Sequence, residues 1–159
     1  MRVIAFSDTH GNFRSMREIF RRCENSADAF IFLGDGERDL ERIKACCPDK
    51  TILSVAGNCD YASMTPDNEI FNAGPAKIFF THGHNWGVKS SADRLFYKAK
   101  EIGADVVLFG HTHCRYYEYR EGIHILNPGS AGCPRDGKPP SYAFIDITNS
   151  GIFCSHVDL

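Results

Sequence analysis

The stretch Arg2-Val3-Ile4-Ala5-Phe6-Ser7-Asp8-Thr9-His10 passes from an apolar, β-branched run directly into a polar turn. Most of the other segments that carry Asp, Asn or His beside a glycine also follow an apolar run. Because ligands of open α/β sheets bind at the carboxyl ends of strands, this repetition predicts one site built on loops at a sheet edge. The segments are Asp8-Thr9-His10, Gly34-Asp35, Gly57-Asn58, His82-Gly83-His84 and Gly110-His111-Thr112-His113.

The first third of the chain alternates predicted strands with predicted helices. Strands are expected at Arg2–Phe6, Ala29–Leu33 and Thr51–Ala56, which are continuous apolar runs typical of strands buried on both faces. Helices are expected over Phe13–Cys23 and Asp39–Cys46, where apolar side chains recur at helical spacing. This order predicts two right-handed βαβ units and a parallel sheet.

The rest of the chain has a different pattern. Glu69–Asn72 and Lys77–Thr81 are expected to form two strands joined by a turn, and Ser90–Ile102 a helix that ends at Gly103. After another buried strand, we expect a run of antiparallel strands. With no internal repeat or linker, residues 1–159 are expected to form a single domain. The later strands are predicted at Asp105–Phe109, Arg115–Arg120, Ile123–Asn127, Ser141–Ile147 and Gly151–Val157.

Composition narrows the functional classes. The formal net charge is −2, so no strong field attracts nucleic acid or an anionic membrane surface. No apolar run is long enough to cross a bilayer, and the first residues enter a strand with no signal-peptide pattern. The seven cysteines are odd in number and include no Cys-x-x-Cys spacing. They are therefore expected to be reduced thiols of a cytoplasmic protein.

The donor residues have the chemistry of a metal site. Asp8 and His10 are two residues apart and can reach one ion from an extended turn, and the paired histidines repeat that spacing. Each pair alone is weak evidence for a metal site, but five of the seven histidines lie in three such motifs. The set is too large for one tetrahedral ion, whereas two ions sharing the carboxylate of Asp35 would use it all. Two neighbouring divalent ions commonly attack phosphate esters, so the sequence predicts a metal-dependent phosphoesterase.

Other residues lie beside these motifs or between them. The flanking glycines are expected to let phosphate oxygens approach the metals without an intervening Cβ. Asn127-Pro128-Gly129-Ser130 is more typical of an ordinary turn, and His124 and His156 are expected to be structural. A set of aromatic residues could stack on an aryl or base group, although core packing is equally consistent. That set is Trp86, Phe96, Tyr116 and Tyr117.

Taken in order, the five motifs resemble those of the calcineurin-like metallophosphoesterase superfamily, and within it the small phosphodiesterases of the YfcE type. The resemblance runs from Met1 to about Gly132 and includes Asn127-Pro128-Gly129-Ser130. It implies an α/β fold, a four-layer α/β/β/α sandwich of two mixed sheets flanked by helices. It also implies a dimetal site at the strand carboxyl ends.

The resemblance also implies how the ligands are shared. A hydroxide bridging two divalent ions would be the nucleophile on a phosphate diester. The ions are expected to be Mn²⁺, with Ni²⁺, Zn²⁺, Fe or Mg²⁺ as alternatives. The first ion would take Asp8, His10, Asp35 and His113, and the second would take Asp35, Asn58, His82 and His111.

Cys59 departs from many superfamily members, which have a histidine at this position. A thiol is a poorer proton donor than imidazole, so we expect diesters, or esters with good leaving groups, to be preferred over alkyl monoesters. The small phosphodiesterases share this departure. Asp60 and His84 are expected to orient ligands or substrate beside Asp35 and Asn58 in the catalytic group.

Several alternatives remain at the level of sequence. The fold also serves as a non-catalytic, protein-binding scaffold in the retromer-subunit relatives, which have degenerate metal sites, whereas this donor set is intact. A phosphomonoesterase or a nuclease is a further alternative. Four arginines on one predicted helix are more typical of a solvated face than of a nucleic-acid site. The expected partner is a small phosphodiester substrate, with no membrane partner, and a homodimer is compatible with the sequence. The arginines are Arg14, Arg17, Arg21 and Arg22.

Overall fold

A computed structural model describes residues 1–159 as ten strands, three α-helices and one short 3-10 helix. The elements alternate β1-α1-β2-α2-β3 over the first third, as the sequence predicts. The three helices have 10 or 11 residues, and none of them combines the length and the apolar character needed to span a bilayer. Their order is β1 (Arg2–Phe6), α1 (Phe13–Cys23), β2 (Ala29–Phe32), α2 (Glu37–Cys46), β3 (Ile52–Ser54), β4 (Asn68–Ala73), β5 (Ala76–Thr81), the 3-10 helix (His84–Trp86), α3 (Asp93–Ile102), β6 (Val106–Leu108), β7 (Arg115–Arg120), β8 (Ile123–Pro128), β9 (Ser141–Thr148) and β10 (Gly151–Asp158).

Two five-stranded mixed sheets form the centre of the molecule. The first has the order β10-β9-β1-β2-β3, with β1, β2 and β3 parallel and β9 antiparallel to β1. The second has the order β4-β5-β6-β8-β7, with β5, β6 and β8 parallel. The parallel strands of each sheet therefore end at one edge, where the polar motifs follow them.

The side chains of β1 point alternately to the two faces of the first sheet, and their contacts show how the layers stack. Val3 and Ala5 point into a core shared by both sheets, together with Ile78 and Phe80 of β5. The intervening Ile4 and Phe6 point outward into a second core formed with α1 and α2. A third core packs α3 against the outer face of the second sheet. The four-layer α/β/β/α sandwich implied by the resemblance is confirmed.

The last four strands differ from the expected single antiparallel run. They form two antiparallel hairpins, of which β7–β8 joins the second sheet and β9–β10 joins the first. Strand β8 also lies parallel to β6. Strand pairing is decided by partners far away in sequence, so local alternation identified these strands but not their sheets.

Two helix starts also differ from the prediction. Helix α3 begins at Asp93 because Ser90 is held in a turn, its N–H donating to the carbonyl of Gly87 at 3.0 Å. Helix α2 begins at Glu37, two residues before the predicted start. The N–H groups of Gly36 and Glu37 both donate to Asp60 at 2.9 Å, a cap from a distant loop that no local pattern reveals.

Candidate metal centre

Left-handed backbone marks the loops at this sheet edge. Only seven non-glycine residues have a positive φ, and five of them are predicted metal ligands. Each such residue costs roughly 1–2 kcal/mol relative to ordinary backbone, and this kind of strain concentrates at functional sites. The five are Asp8 (φ 55°), His10 (φ 45°), Asp35 (φ 60°), His111 (φ 68°) and His113 (φ 60°).

The first group of predicted ligands converges on one point. One donor atom from each of Asp8, His10, Asp35 and His113 lies within 4.8 Å of all the others. The Nε2 atoms of His10 and His113 are 3.1 Å apart, and His113 Nε2 is 3.2 Å from Asp8 Oδ1. The loops after β1, β2 and β6 therefore bring together all four residues assigned to the first ion.

The second group lies beside the first, with Asp35 between them. Asp35 Oδ2 is 3.6 Å from His10 Nε2 and 3.5 Å from His82 Nε2. His82 Nε2 is also 3.1 Å from Asn58 Oδ1, and the ring centroid of His111 is 5.1 Å from that of His82. Asp35 thus faces both groups with the same oxygen, which suits a bridging carboxylate.

Hydrogen bonds behind the ligands fix which ring nitrogens face inward. Nδ1 of His82 donates to the carbonyl of Leu33 at 2.6 Å, and Nδ1 of His113 donates to the carbonyl of Cys133 at 2.7 Å. In the neutral rings, Nε2 then presents a lone pair to the centre. Backbone carbonyls commonly orient metal-binding histidines in this way.

The centre consists of acceptors that face other acceptors. Asp8 Oδ1 is buried and has no hydrogen-bond partner, and the Nε2 lone pair of His82 points at Asn58 Oδ1. Such an arrangement is unfavourable unless cations or protons lie between the atoms. The donor set of carboxylate, amide oxygen and imidazole fits divalent cations of intermediate hardness.

Protons and cations compete for these atoms. Contact with Asp8 raises the pKa of His113. Burial alone would raise the pKa of Asp8, but the close contact with His113 and the neighbouring charges lower it. Burial, followed by the charges of His82 and Lys89, lowers the pKa of His111 to about 4. His111 is therefore a neutral imidazole at neutral pH, the form that binds metals.

Cys59 and Asp60 act on Asp35 through hydrogen bonds. The N–H of Cys59 donates to Asp35 Oδ1 at 2.7 Å, which leaves Oδ2 facing the two ligand groups. Asp60 accepts the N–H groups of Asp35 and Gly57 on Oδ2, at 2.7 and 2.9 Å. It accepts two more on Oδ1 from the start of α2. Asp60 was predicted in the catalytic group, and the structure gives it a positioning role.

His84 lies at the edge of the second group. Its ring centroid is 5.4 Å from that of His82 and 6.2 Å from that of His111. Its Nδ1 is buried and lacks a hydrogen-bond partner. His84 is partly exposed, so it can reach a molecule bound beside His82 and His111.

The turn after β8 is not an ordinary turn, contrary to the interpretation from its residues alone. The side-chain amide of Asn127 donates to the carbonyl of Gly110 at 2.8 Å and to Thr112 Oγ1 at 3.0 Å. Ser130 Oγ donates to the carbonyl of Asp8 at 2.7 Å. Both side chains are buried, and they brace the loops that carry Asp8 and His111. The signal in the sequence was the position of this motif at the end of a strand.

Several glycines serve loop packing instead of phosphate access. A Cβ on Gly57 would lie 2.1 Å from Asp35 Oδ1, and one on Gly110 would lie 2.1 Å from Ser7 Oγ. Such contacts are impossible, so these glycines allow neighbouring loops to touch. Only Gly11 matches the expectation of open space beside the ligands.

The aromatic residues proposed for stacking lie elsewhere. Phe96 belongs to α3 and is buried in the core beneath it, Trp86 packs edge-on against Phe79, and Tyr116 packs on Phe109. The aromatic residue that lines the cleft beside the ligands is Tyr61, which follows the Asn58 motif in the β3–β4 loop. A single tyrosine in a polar loop has no periodicity to distinguish it, so no pattern in the sequence could identify it.

Comparison with known families gives a match over nearly the whole chain. Residues 1–150 match the calcineurin-like phosphoesterase superfamily domain. The probable metallophosphoesterase YsnB of Bacillus subtilis is 38% identical over 149 residues, covering 94% of this chain and 86% of that protein. The phosphodiesterase YfcE of Escherichia coli is 26% identical over 171 aligned positions, covering 92% of this chain and 88% of that protein.

Solved structures share the fold. A predicted phosphoesterase from Streptococcus pneumoniae superposes with a TM-score of 0.87 at 30% identity, covering 99% of this chain and 88% of that one. Vacuolar protein sorting 29 from Cryptosporidium parvum superposes with a TM-score of 0.75 at 19% identity, covering 99% and 97%. At that identity the second similarity shows a shared fold alone.

Proposed function

This chain belongs to the calcineurin-like phosphoesterase superfamily, and from that premise we propose that it is a divalent-metal-dependent phosphodiesterase with a dinuclear centre. The observation that carries the proposal is the convergence of lone pairs around Asp35 Oδ2. That oxygen lies 3.5–3.6 Å from one histidine of each ligand group. A similar phosphodiesterase, YfcE, supports the choice of activity.

Two divalent ions, when bound, supply a nucleophile derived from water at neutral pH and neutralise the phosphoryl oxygens. These residues would offer each ion four protein ligands, with Asp35 shared between the two. Mn²⁺ is our first choice, ahead of Ni²⁺, Zn²⁺, Fe and Mg²⁺. The ligands are Asp8, His10, Asp35 and His113 for one ion, and Asp35, Asn58, His82 and His111 for the other.

The remaining side chains orient these ligands and contact the substrate. Cys59 and Asp60 hold Asp35 and the start of α2, and His84 is placed to donate to a phosphoryl oxygen. Burial, followed by the charges of Asp35 and Asp60, raises the pKa of the Cys59 thiol, so it stays protonated at neutral pH. A neutral, weakly acidic thiol gives little help to a poor leaving group. We therefore propose that diesters and activated esters are the preferred substrates.

All seven cysteines are free, and three of them are exposed. Exposed thiols persist in a reducing compartment, and we place the protein in the cytoplasm on that basis.

A non-catalytic scaffold is the competing proposal, and ligand loss is its expected signature. Here all seven predicted ligands are present, and five of them adopt strained left-handed backbone that a scaffold does not require. The enzyme is therefore the better-supported function.

The test is hydrolysis by metal-stripped protein reconstituted separately with Mn²⁺, Ni²⁺, Mg²⁺ or Zn²⁺. We expect bis(p-nitrophenyl) phosphate to be hydrolysed faster than p-nitrophenyl phosphate, only with added metal. Asp35→Asn should reduce turnover to background, whereas Asp28→Asn, a carboxylate that caps the distant N–H of Arg2, should not. Absence of turnover with every metal, from folded protein, would favour the scaffold.

A further inference from the structure

A cleft of about 460 Å³ opens beside the two ligand groups. His10, Asp35 and Cys59 form its inner end. Its outer part is formed by the start of α2 and by the loop after Asn58, which contribute Arg38 and Tyr61. A substrate whose phosphate lies at the ligand groups can extend one ester arm along this cleft.

Each carboxylate around the cleft has a partner inside the protein through at least one oxygen, although Asp39 Oδ2 is buried without one. Glu37 accepts hydrogen bonds from the hydroxyls of Ser63 and Thr65. Asp60 accepts four backbone N–H groups, and the buried Asp39 lies 3.6 Å from Arg42. Asp35 belongs to the ligand groups. These carboxylates keep their negative charge, so an anion in the cleft depends on a cation that they do not already neutralise.

Arg38 is the free cation of the cleft. Its side chain is exposed and makes no hydrogen bond or ion pair within the protein. Asp60 accepts the N–H groups of Gly36 and Glu37 at the start of α2, and the guanidinium of Arg38 is the charged donor that stays available to an incoming anion. Arginine binds phosphate through two parallel N–H donors, which gives both charge and geometry.

Tyr61 supplies an aromatic surface in the same cleft. Its side chain is 88% exposed, so the face of the ring is open to a bound molecule. Exposed aromatic rings beside a cationic groove are the usual platform on which nucleic-acid bases stack. A cation and an uncovered ring in one cleft together match a base and a phosphate.

On the basis of the proposed phosphodiesterase activity, we infer that the substrate carries a nucleotide-like arm in this cleft. Its base stacks on Tyr61 and its second phosphate pairs with Arg38. The scissile diester lies at the ligand groups, and hydrolysis adds water across one phosphorus–oxygen ester bond. The substrate class is thus a small dinucleotide or a nucleotide diester with a second anionic group.

The test compares two dinucleotides that differ in one group, dithymidylate with and without a 5′-terminal phosphate. We expect the wild-type protein, loaded with its best metal, to prefer the phosphorylated form about tenfold in kcat/KM. Arg38→Ala should remove the preference, and Arg38→Lys should keep part of it. Tyr61→Ala should lower kcat/KM for both dinucleotides about tenfold, and Tyr61→Phe should restore it.

Two exposed residues outside the cleft give matched controls. Arg17→Ala removes a cation from a helix face, and Tyr97→Ala removes an exposed ring from α3. Neither should change the preference. No preference in the wild-type protein, or a preference that survives Arg38→Ala, would overturn the inference.

A binding measurement separates this inference from the proposed activity. Thymidine 5′-monophosphate is titrated into metal-free protein and followed by calorimetry or by NMR shifts. Weaker binding in both Arg38→Ala and Tyr61→Ala supports the cleft assignment even if no metal gives turnover, in which case only the activity fails. Equal binding by all variants contradicts the cleft assignment whatever the activity.

Discussion

Asp60 accepts four backbone N–H groups, from Asp35, Gly36, Glu37 and Gly57. The loop that carries Asp35 is thereby tied to the loop that carries Asn58. The sequence placed Asp60 near the site, but its partners lie up to 25 residues away. Local patterns predict ligand types well and predict such long-range bracing poorly.

Asp60→Asn should loosen Asp35 without removing a ligand. One amide oxygen replaces a carboxylate that accepts on both sides, so metal affinity or kcat should fall about 10- to 100-fold, as for other groups that orient ligands. Metal titration and diester kinetics measure the effect. Asp28→Asn is the control, since it removes a carboxylate bound to one backbone N–H far from the centre. Wild-type metal affinity together with wild-type kcat in Asp60→Asn would contradict the positioning role.

Substitution of Cys59 tests whether the absence of a histidine at this position limits the range of substrates. Cys59→His should add a proton donor and raise kcat/KM on an alkyl monoester such as glycerol phosphate, on the order of 10²-fold at most. The N–H of residue 59 that binds Asp35 is kept in any substitution. Cys59→Ser is the control and should show no gain. If the His variant is also unchanged, leaving-group protonation does not set the preference.

At the scale of elements, the predictions succeeded where the pattern is local. Helix α1 spans Phe13–Cys23 as predicted, because its apolar stripe and its cap by Asn12 are both local. The expectation of one run of antiparallel strands at the end of the chain was wrong, because the division of these strands between two sheets depends on pairs such as Ala5 with Ala143. Sequence alternation defines a strand's buried face but not its neighbour.

The pairing of β1 with β9 offers a pH-dependent prediction. Arg2 donates two hydrogen bonds to Asp146, at 2.6 and 2.7 Å, and the two residues are cross-strand partners. The hydrogen bond from Arg2 is the main cause that lowers the pKa of Asp146. Both side chains are partly exposed, so solvent screening should hold the coupling to about 0.5–1 kcal/mol.

A depressed carboxylate pKa stabilises the fold above the unfolded-state pKa, and this contribution is lost as the pH falls through the folded-state value. A double-mutant cycle with Arg2→Met and Asp146→Asn, measured by urea unfolding, should therefore show coupling at neutral pH. The coupling should be smaller near about pH 3, below the ordinary carboxyl pKa of about 3.9, and should keep falling as the pH drops further. Equal coupling at both pH values would show that the pair does not act through the Asp146 charge.

At the scale of the molecule, the centre lies where two sheets meet. Asp8, Asp35 and Asn58 follow strands of the first sheet, whereas His82 and His111 follow strands of the second. The sequence could predict that all of these residues end strands. It could not predict that the two sheets pack face to face and bring the two sets within 4 Å of each other, since that arrangement depends on the shared core.

The most direct test of the dinuclear centre is the number of divalent ions that each chain binds. Metal-stripped protein should bind two Mn²⁺ ions per chain in a calorimetric titration followed by elemental analysis. His113→Ala and His82→Ala, which alter different ligand groups, should each weaken a different ion. A single ion per chain in the wild-type protein would contradict a centre bridged by Asp35. So would variants that lose both ions together, and lose them only because they unfold.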